Sequence, residues 1–168
     1  MTTIYVDNIA PNLQSKISAP NLTLPAGSVV QVKSFATTAQ ITFNSTSAYT
    51  NALSGNITTQ YANSIIMVQG IVPWYAQNSN AGVWTNSAYL QLQEGSTTVT
   101  GFEHPGPQTS MEFSMCVPFQ YTSTQKSVGT YTYTIQIRPT TSGDTFYLHR
   151  QTNGPHSATR MTLMEIAQ

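Results

Sequence analysis

Thr130–Arg138 reads TYTYTIQIR, Thr145–Arg150 reads TFYLHR, and Ala158–Ala167 reads ATRMTLMEIA. In the first run Tyr131, Tyr133, Ile135 and Ile137 fall on one side and Thr132, Thr134, Gln136 and Arg138 on the other. Period-two alternation of this kind makes strands that are buried on one face and wet on the other. TTSGD at Thr140–Asp144 carries the Ser-Gly-Asp of a hairpin turn, and QTNGPHS at Gln151–Ser157 carries Asn-Gly-Pro, so the three runs form a meander. In the last run Met161, Leu163 and Glu165 alternate with Thr162, Met164 and Ile166, which leaves apolar residues on both faces. A terminal strand of that type is central in its sheet or covers a subunit interface.

Working back toward the N-terminus, strands recur every ten to fifteen residues with turn residues between them, the spacing of a β-sandwich. They are predicted near Val29–Phe35, Gln40–Phe43, Gly55–Thr59, Ser64–Tyr75, Ala88–Glu94, Met111–Pro118, Thr130–Arg138, Thr145–Gln151 and Thr159–Ile166. No window has the three-and-four apolar spacing of a helix. GFEHPGPQTS, Gly101–Ser110, has two prolines and two glycines and reads as a loop. Residues 1–27 differ from the rest, because Pro11, Pro20, Pro25 and Gly27 interrupt any long element. They read as an extended arm with too little apolar surface to fold alone, which must lie on the body (residues 28–168) or on a neighbour. Ile4, Tyr5, Val6 and Ile9, with Leu22 and Leu24, are its candidate contact residues.

A chain of 168 residues suits one domain. Only 7% of it is charged, against about 25% in ordinary globular proteins, and Thr, Ser, Asn and Gln take the vacated surface. Six basic and six acidic residues cancel and are scattered, so neither nucleic acid nor an anionic membrane is an expected partner. A neutral polar surface lacks the self-repulsion that keeps monomers apart and tolerates assembly. Met1–Asn12 has no apolar signal-peptide core, and no stretch approaches a membrane span, so synthesis in the cytoplasm without standard export is expected. The single cysteine, Cys116 in MEFSMCVPF, reads as a small core hydrophobe.

Convergent titratable groups are scarce, and no enzyme, metal or cofactor is expected. Glu103-His104 is the one adjacent acid and imidazole, and by itself it defines no site. His149 and His156 flank the last hairpin and lack a third ligand for zinc, which makes them surface polar residues in this reading. Aromatic residues are more informative. VPWYAQNSNAGVW, Val72–Trp84, sets Trp74, Tyr75 and Trp84 around an Asn- and Ser-rich loop, a composition used for recognising carbohydrate or protein surfaces. With Phe102 and His104 they are the candidate exposed recognition loops; core packing is the competing role for a Trp.

The opening strand VVQVKSF (Val29–Phe35), the late YTYTIQIRPTTSGDTFYLHR (Tyr131–Arg150) and the ending SATRMTLMEIA (Ser157–Ala167), with its Ser-x-x-x-Met-x-Leu-x-Glu-Ile close, together resemble a family of tailed-phage virion proteins, cyanophage-like in their start MTTIYVDNIAPN. Their heads are jelly rolls similar to the trimeric complement-type and tumour necrosis factor-like domains. The resemblance implies an antiparallel jelly-roll sandwich in a homotrimer, with the C-terminal strand near the threefold axis. Tyr131, Tyr133, Met161, Leu163, Met164 and Ile166 are then candidates for core and trimer seam. It further implies a capsid decoration (cement) protein on the outer surface of the virion, bound to the major capsid protein and assembled in the host cytoplasm. The alternative is a tail-fibre knob that recognises a host-surface glycan or protein.

Overall fold

The computed structural model describes residues 24–77, 87–105, 113–140, 145–149 and 158–168. Ten strands lie among them: β1 (Val29–Thr37), β2 (Ile41–Phe43), β3 (Thr50–Thr58), β4 (Ile65–Gln77), β5 (Ser87–Glu94), β6 (Thr97–Pro105), β7 (Phe113–Thr122), β8 (Thr130–Pro139), β9 (Thr145–Leu148) and β10 (Thr159–Ile166). All pairings are antiparallel, and the described residues contain no helix. One sheet has six strands and the other has the order β3-β8-β5-β6.

Within the six-stranded sheet the run β1-β10-β4-β7 faces β3-β8-β5-β6. Apart from the β5–β6 hairpin, each step between these eight strands crosses from one sheet to the other, which is the double Greek key of a jelly roll. The remaining pair, β2 and β9, exists because β4 is long. Its 13 residues outrun the 8 of β10, so Ile65–Ile71 pairs with β10 while Trp74–Gln77 takes β9, and β2 pairs with β9.

Alternation sends Ile66, Val68, Val72 and Trp74 of β4, Met161 and Leu163 of β10, and Tyr133, Ile135 and Ile137 of β8 into the space between the sheets. At one end Trp74 packs on Phe146 with ring centroids 5.6 Å apart, and Phe146 on Phe43 at 5.3 Å. Gly70 is the one gap in β4's inward row, where the Phe119 ring lies. A Cβ there would collide with the Arg160 carbonyl oxygen, which the sheet holds in place, as well as with that ring. Gly70→Ala is therefore expected to lower stability by about 1–3 kcal/mol, measured by urea unfolding.

Several predicted boundaries change: β6 is missing from the predicted set, and β7 runs on to Thr122 rather than ending at Pro118. Gly101–Pro105 is strand, the second half of β6. Among the described strands β6 pairs with β5 alone, so it is an edge strand, where Gly and Pro interrupt no second ladder. β3 begins at Thr50 rather than Gly55, and a bulge between Asn51 and Leu53 breaks the alternation that would have marked it.

Candidate functional site: the two outer faces of the sandwich

The outward row of each strand in the six-stranded sheet is set by register. Val32, Met164, Met67 and Thr122 stand side by side across β1, β10, β4 and β7. The next rows are Ser34, Thr162, Gln69 and Gln120, then Ala36, Arg160, Ile71 and Pro118. Ile166 and Ile65 extend the apolar end, and Val29 and Val32 beside them are 56% and 54% exposed. Gln69 and Gln120 both point an amide at the Met67 sulfur, at 3.6 and 3.5 Å. Arg160 is the only formal charge in these rows, and among the described residues it has no ion-pair partner. It borders a shallow groove of about 410 Å³ lined by Gln69, Ile71, Pro118, Gln120 and Thr162, with Gly70 at its floor.

The four-stranded sheet presents the opposite chemistry. Gln136 donates to Asn51 at 2.7 Å and Gln91 donates to Gln136 at 2.6 Å, while Thr98 reaches Gln91 at 3.2 Å, so one ladder spans all four strands. Ser54 with Thr134 and Thr58 with Thr130 add hydroxyl pairs at 2.9 and 2.8 Å. At its end Arg138 lies between the Tyr49 and Tyr89 rings, 5.1 and 4.7 Å from their centroids, and donates to the Thr46 carbonyl. Tyr89 hydrogen-bonds Glu103, whose carboxylate raises the phenol pKa. Ser87 donates to the same carboxylate at 2.9 Å. These groups satisfy one another and make a polar, self-contained surface.

Two buried polar residues hold the ends of the sandwich. Glu165 is fully buried and accepts from Gln31 Nε2 (2.7 Å), Gln60 N (2.8 Å), Tyr61 N (3.0 Å) and Ser64 Oγ (2.9 Å). The carboxylate thus ties β10 to β1 and to the β3–β4 connection. His149, with φ of 54°, donates from Nδ1 to the Ala39 carbonyl at 2.9 Å and accepts at Nε2 from Thr159 N at 2.8 Å. It joins the end of β9 to the β1–β2 turn and to the start of β10. Their role is not written in sequence motifs, since the donors come from residues as many as 134 positions away.

Several predicted site residues move. Trp74 is 1% exposed in β4 and belongs to the core, because its position shares the inward parity of Val72 and Ala76. Tyr75 points outward but from within β4, near its C-terminal end and beside Tyr147, and is half-buried. Phe102 and His104 belong to β6, so neither sits in a loop. Tyr133, Met161 and Leu163 are fully buried inside the protomer and unavailable to a seam, and Tyr131 packs against the same core. Met164 and Ile166, of opposite parity, remain on the outer face. Cys116 is exposed on that face opposite Pro73 rather than in the core, and His149 is buried rather than on the surface. Ile4, Tyr5, Val6, Ile9, Leu22, Trp84 and His156 lie outside the described residues. Leu24 is half-buried at the root of the arm, where Gly27 N donates to the Ala167 carbonyl at 2.7 Å.

Among the described residues no group of three or more His, Cys, Asp or Glu is placed to hold a metal ion, and no helix is long and apolar enough to cross a membrane. No protein-family model and no curated protein matches the chain. Solved structures with a similar course include a chain of infectious bursal disease virus, Gx strain, at 13% identity and a TM-score of 0.42, covering 92% of this chain and 37% of that one. Dimeric latent PorU of Porphyromonas gingivalis matches at 8% identity and a TM-score of 0.42, over 86% of this chain and 14% of that one. The xylan-binding CBM22-1 domain of Paenibacillus barcinonensis Xyn10C matches at 10% identity and a TM-score of 0.32, over 87% and 99%. The chain thus spans well under half the length of the first two. At these scores the likeness carries no argument about function, and the jelly-roll assignment rests on strand order.

Proposed function

We propose that this chain is a non-enzymatic structural protein of a virus particle: a trimeric decoration protein that binds the major capsid protein on the outer surface of a phage capsid. The observation that carries the reading is the contrast between the two outer faces. The face bearing β10 carries apolar rows at both ends, interrupted by Arg160, by Thr122 and by a middle row of hydroxyl and amide groups. The other is closed by its own amide and hydroxyl ladder. Apolar rows on a protein with zero net charge favour association with further copies, and the ladder face suits contact with water. Val32, Met67, Met164 and Ile166 form the seam in this reading. A trimer that touches several capsid subunits makes each contact after the first effectively intramolecular, and so stabilises the joints it bridges. The arm, residues 1–27, lies along the capsid or a neighbouring protomer.

Sedimentation of the full chain with capsids that lack it tests this. Saturable co-sedimentation at a ratio fixed by capsid symmetry is the expected result. Absence of binding to capsids, with retained binding to host cells, would support the fibre-knob reading instead. The observation favouring that second reading is the Tyr49–Arg138–Tyr89 stack beside Glu103, a half-exposed aromatic platform of the kind that packs on sugars.

A further inference from the structure

We propose that the Arg160 groove is a docking site for the chain's own N-terminal segment, Ile4–Ile9, with Asp7 paired to Arg160. A cation on a face that is otherwise uncharged among the described residues calls for an anionic partner. Residues 1–23 contain one acid, Asp7, set in IYVDNI among the most apolar residues of the arm. Extended, that stretch places Tyr5, Asp7 and Ile9 on one side, a carboxylate between two apolar side chains. The groove offers the complement, the Arg160 guanidinium beside Ile71 and Pro118, with Gln69, Gln120 and Thr162 available to the backbone amides of an extended peptide.

Reach permits the contact. The arm is rooted beside Ala167, where Ala167 N donates to the Ser28 carbonyl and Gly27 N to the Ala167 carbonyl. From Ala167 to Thr162 and Arg160 is five to seven residues of strand, about 17–23 Å. From Leu24 back to Asp7 is 17 residues, about 56 Å when extended. The segment reaches the groove of its own protomer or of a trimer neighbour. The inference narrows the arm's place in the reading above from capsid or protomer to protomer, and its test uses the isolated protein, so a failure to bind capsids would leave it standing.

The test is a disulfide trap in the full chain that keeps the Asp7–Arg160 pair: Ile71→Cys with Tyr5→Cys, or with Ile9→Cys, the apolar residues that flank Asp7, each with Cys116→Ser. Under mild oxidant the two thiols of at least one pair are expected to join in most molecules, with every single-cysteine control remaining reduced. An intrachain bond runs as a monomer on a non-reducing gel and a bond to a neighbour runs as a dimer, and either places Ile4–Ile9 in the Arg160 groove. Folded variants that both stay reduced would overturn the proposal. A second measurement leaves residues 1–23 unaltered: Lys16 is their only trypsin site, and Arg160→Glu is expected to speed its cleavage about tenfold by releasing the segment. An unchanged rate would also overturn it.

Discussion

Glu165→Ala is expected to lower folding stability by about 3–5 kcal/mol, seen as a fall in the urea midpoint with little change in slope. The carboxyl group is fully buried, pairs with no cation among the described residues, and accepts from Gln60 N, Tyr61 N, Ser64 Oγ and Gln31 Nε2. Removing it leaves two backbone N–H groups without an acceptor at the β3–β4 connection, each costing about 1–3 kcal/mol where water cannot enter. Glu165→Gln preserves volume but turns one oxygen into a donor that faces other donors, so it should recover only part of the loss. A loss below about 1 kcal/mol for the alanine variant would show that the connection finds other partners and that Glu165 is not the tie between β10 and its neighbours.

Met164→Glu is expected to dissolve the proposed trimer while leaving the protomer folded. The side chain points outward at the centre of the row Val32–Met164–Met67, so the change costs little within the protomer. In a symmetric seam every copy contributes the same carboxylate to a dry, apolar contact with no cation in its row. At about 4 kcal/mol or more for desolvation and repulsion, the dissociation constant rises at least about a thousandfold. Two readouts separate this from unfolding: the far-UV spectrum stays that of a sheet protein, and Cys116, on the same face, becomes faster to alkylate. Unchanged mass would remove this face from the interface.

Most of the fold is legible in the sequence because alternation reports burial directly. TYTYTIQIR gives the inward and outward sets of β8, whereas ATRMTLMEIA gives the two parities of β10, Met161 and Leu163 against Met164 and Ile166, without saying which is inward. What alternation does not report is which sheet lies opposite which face. The candidates for core and seam therefore come from both parities of β10 together with Tyr131 and Tyr133 of β8, and Tyr133, Met161 and Leu163 are core. Edge strand β6 was hidden by Gly101 and Pro105, which break central strands but not edges. Trp74 ends a predicted strand beside an Asn- and Ser-rich loop, so recognition and core packing compete for it, and its shared parity with Val72 decides for the core. Glu165 and His149 were illegible as anchors, since a buried polar group is defined by donors and acceptors brought from distant strands.

Whether the outer face of the six-stranded sheet joins copies of this chain into a trimer is read from the mass of the purified wild-type protein, measured by light scattering over a range of concentrations. A single species near three times 18.3 kDa is the expected result. A species of 18.3 kDa at every concentration, with Cys116 freely alkylated, would contradict it.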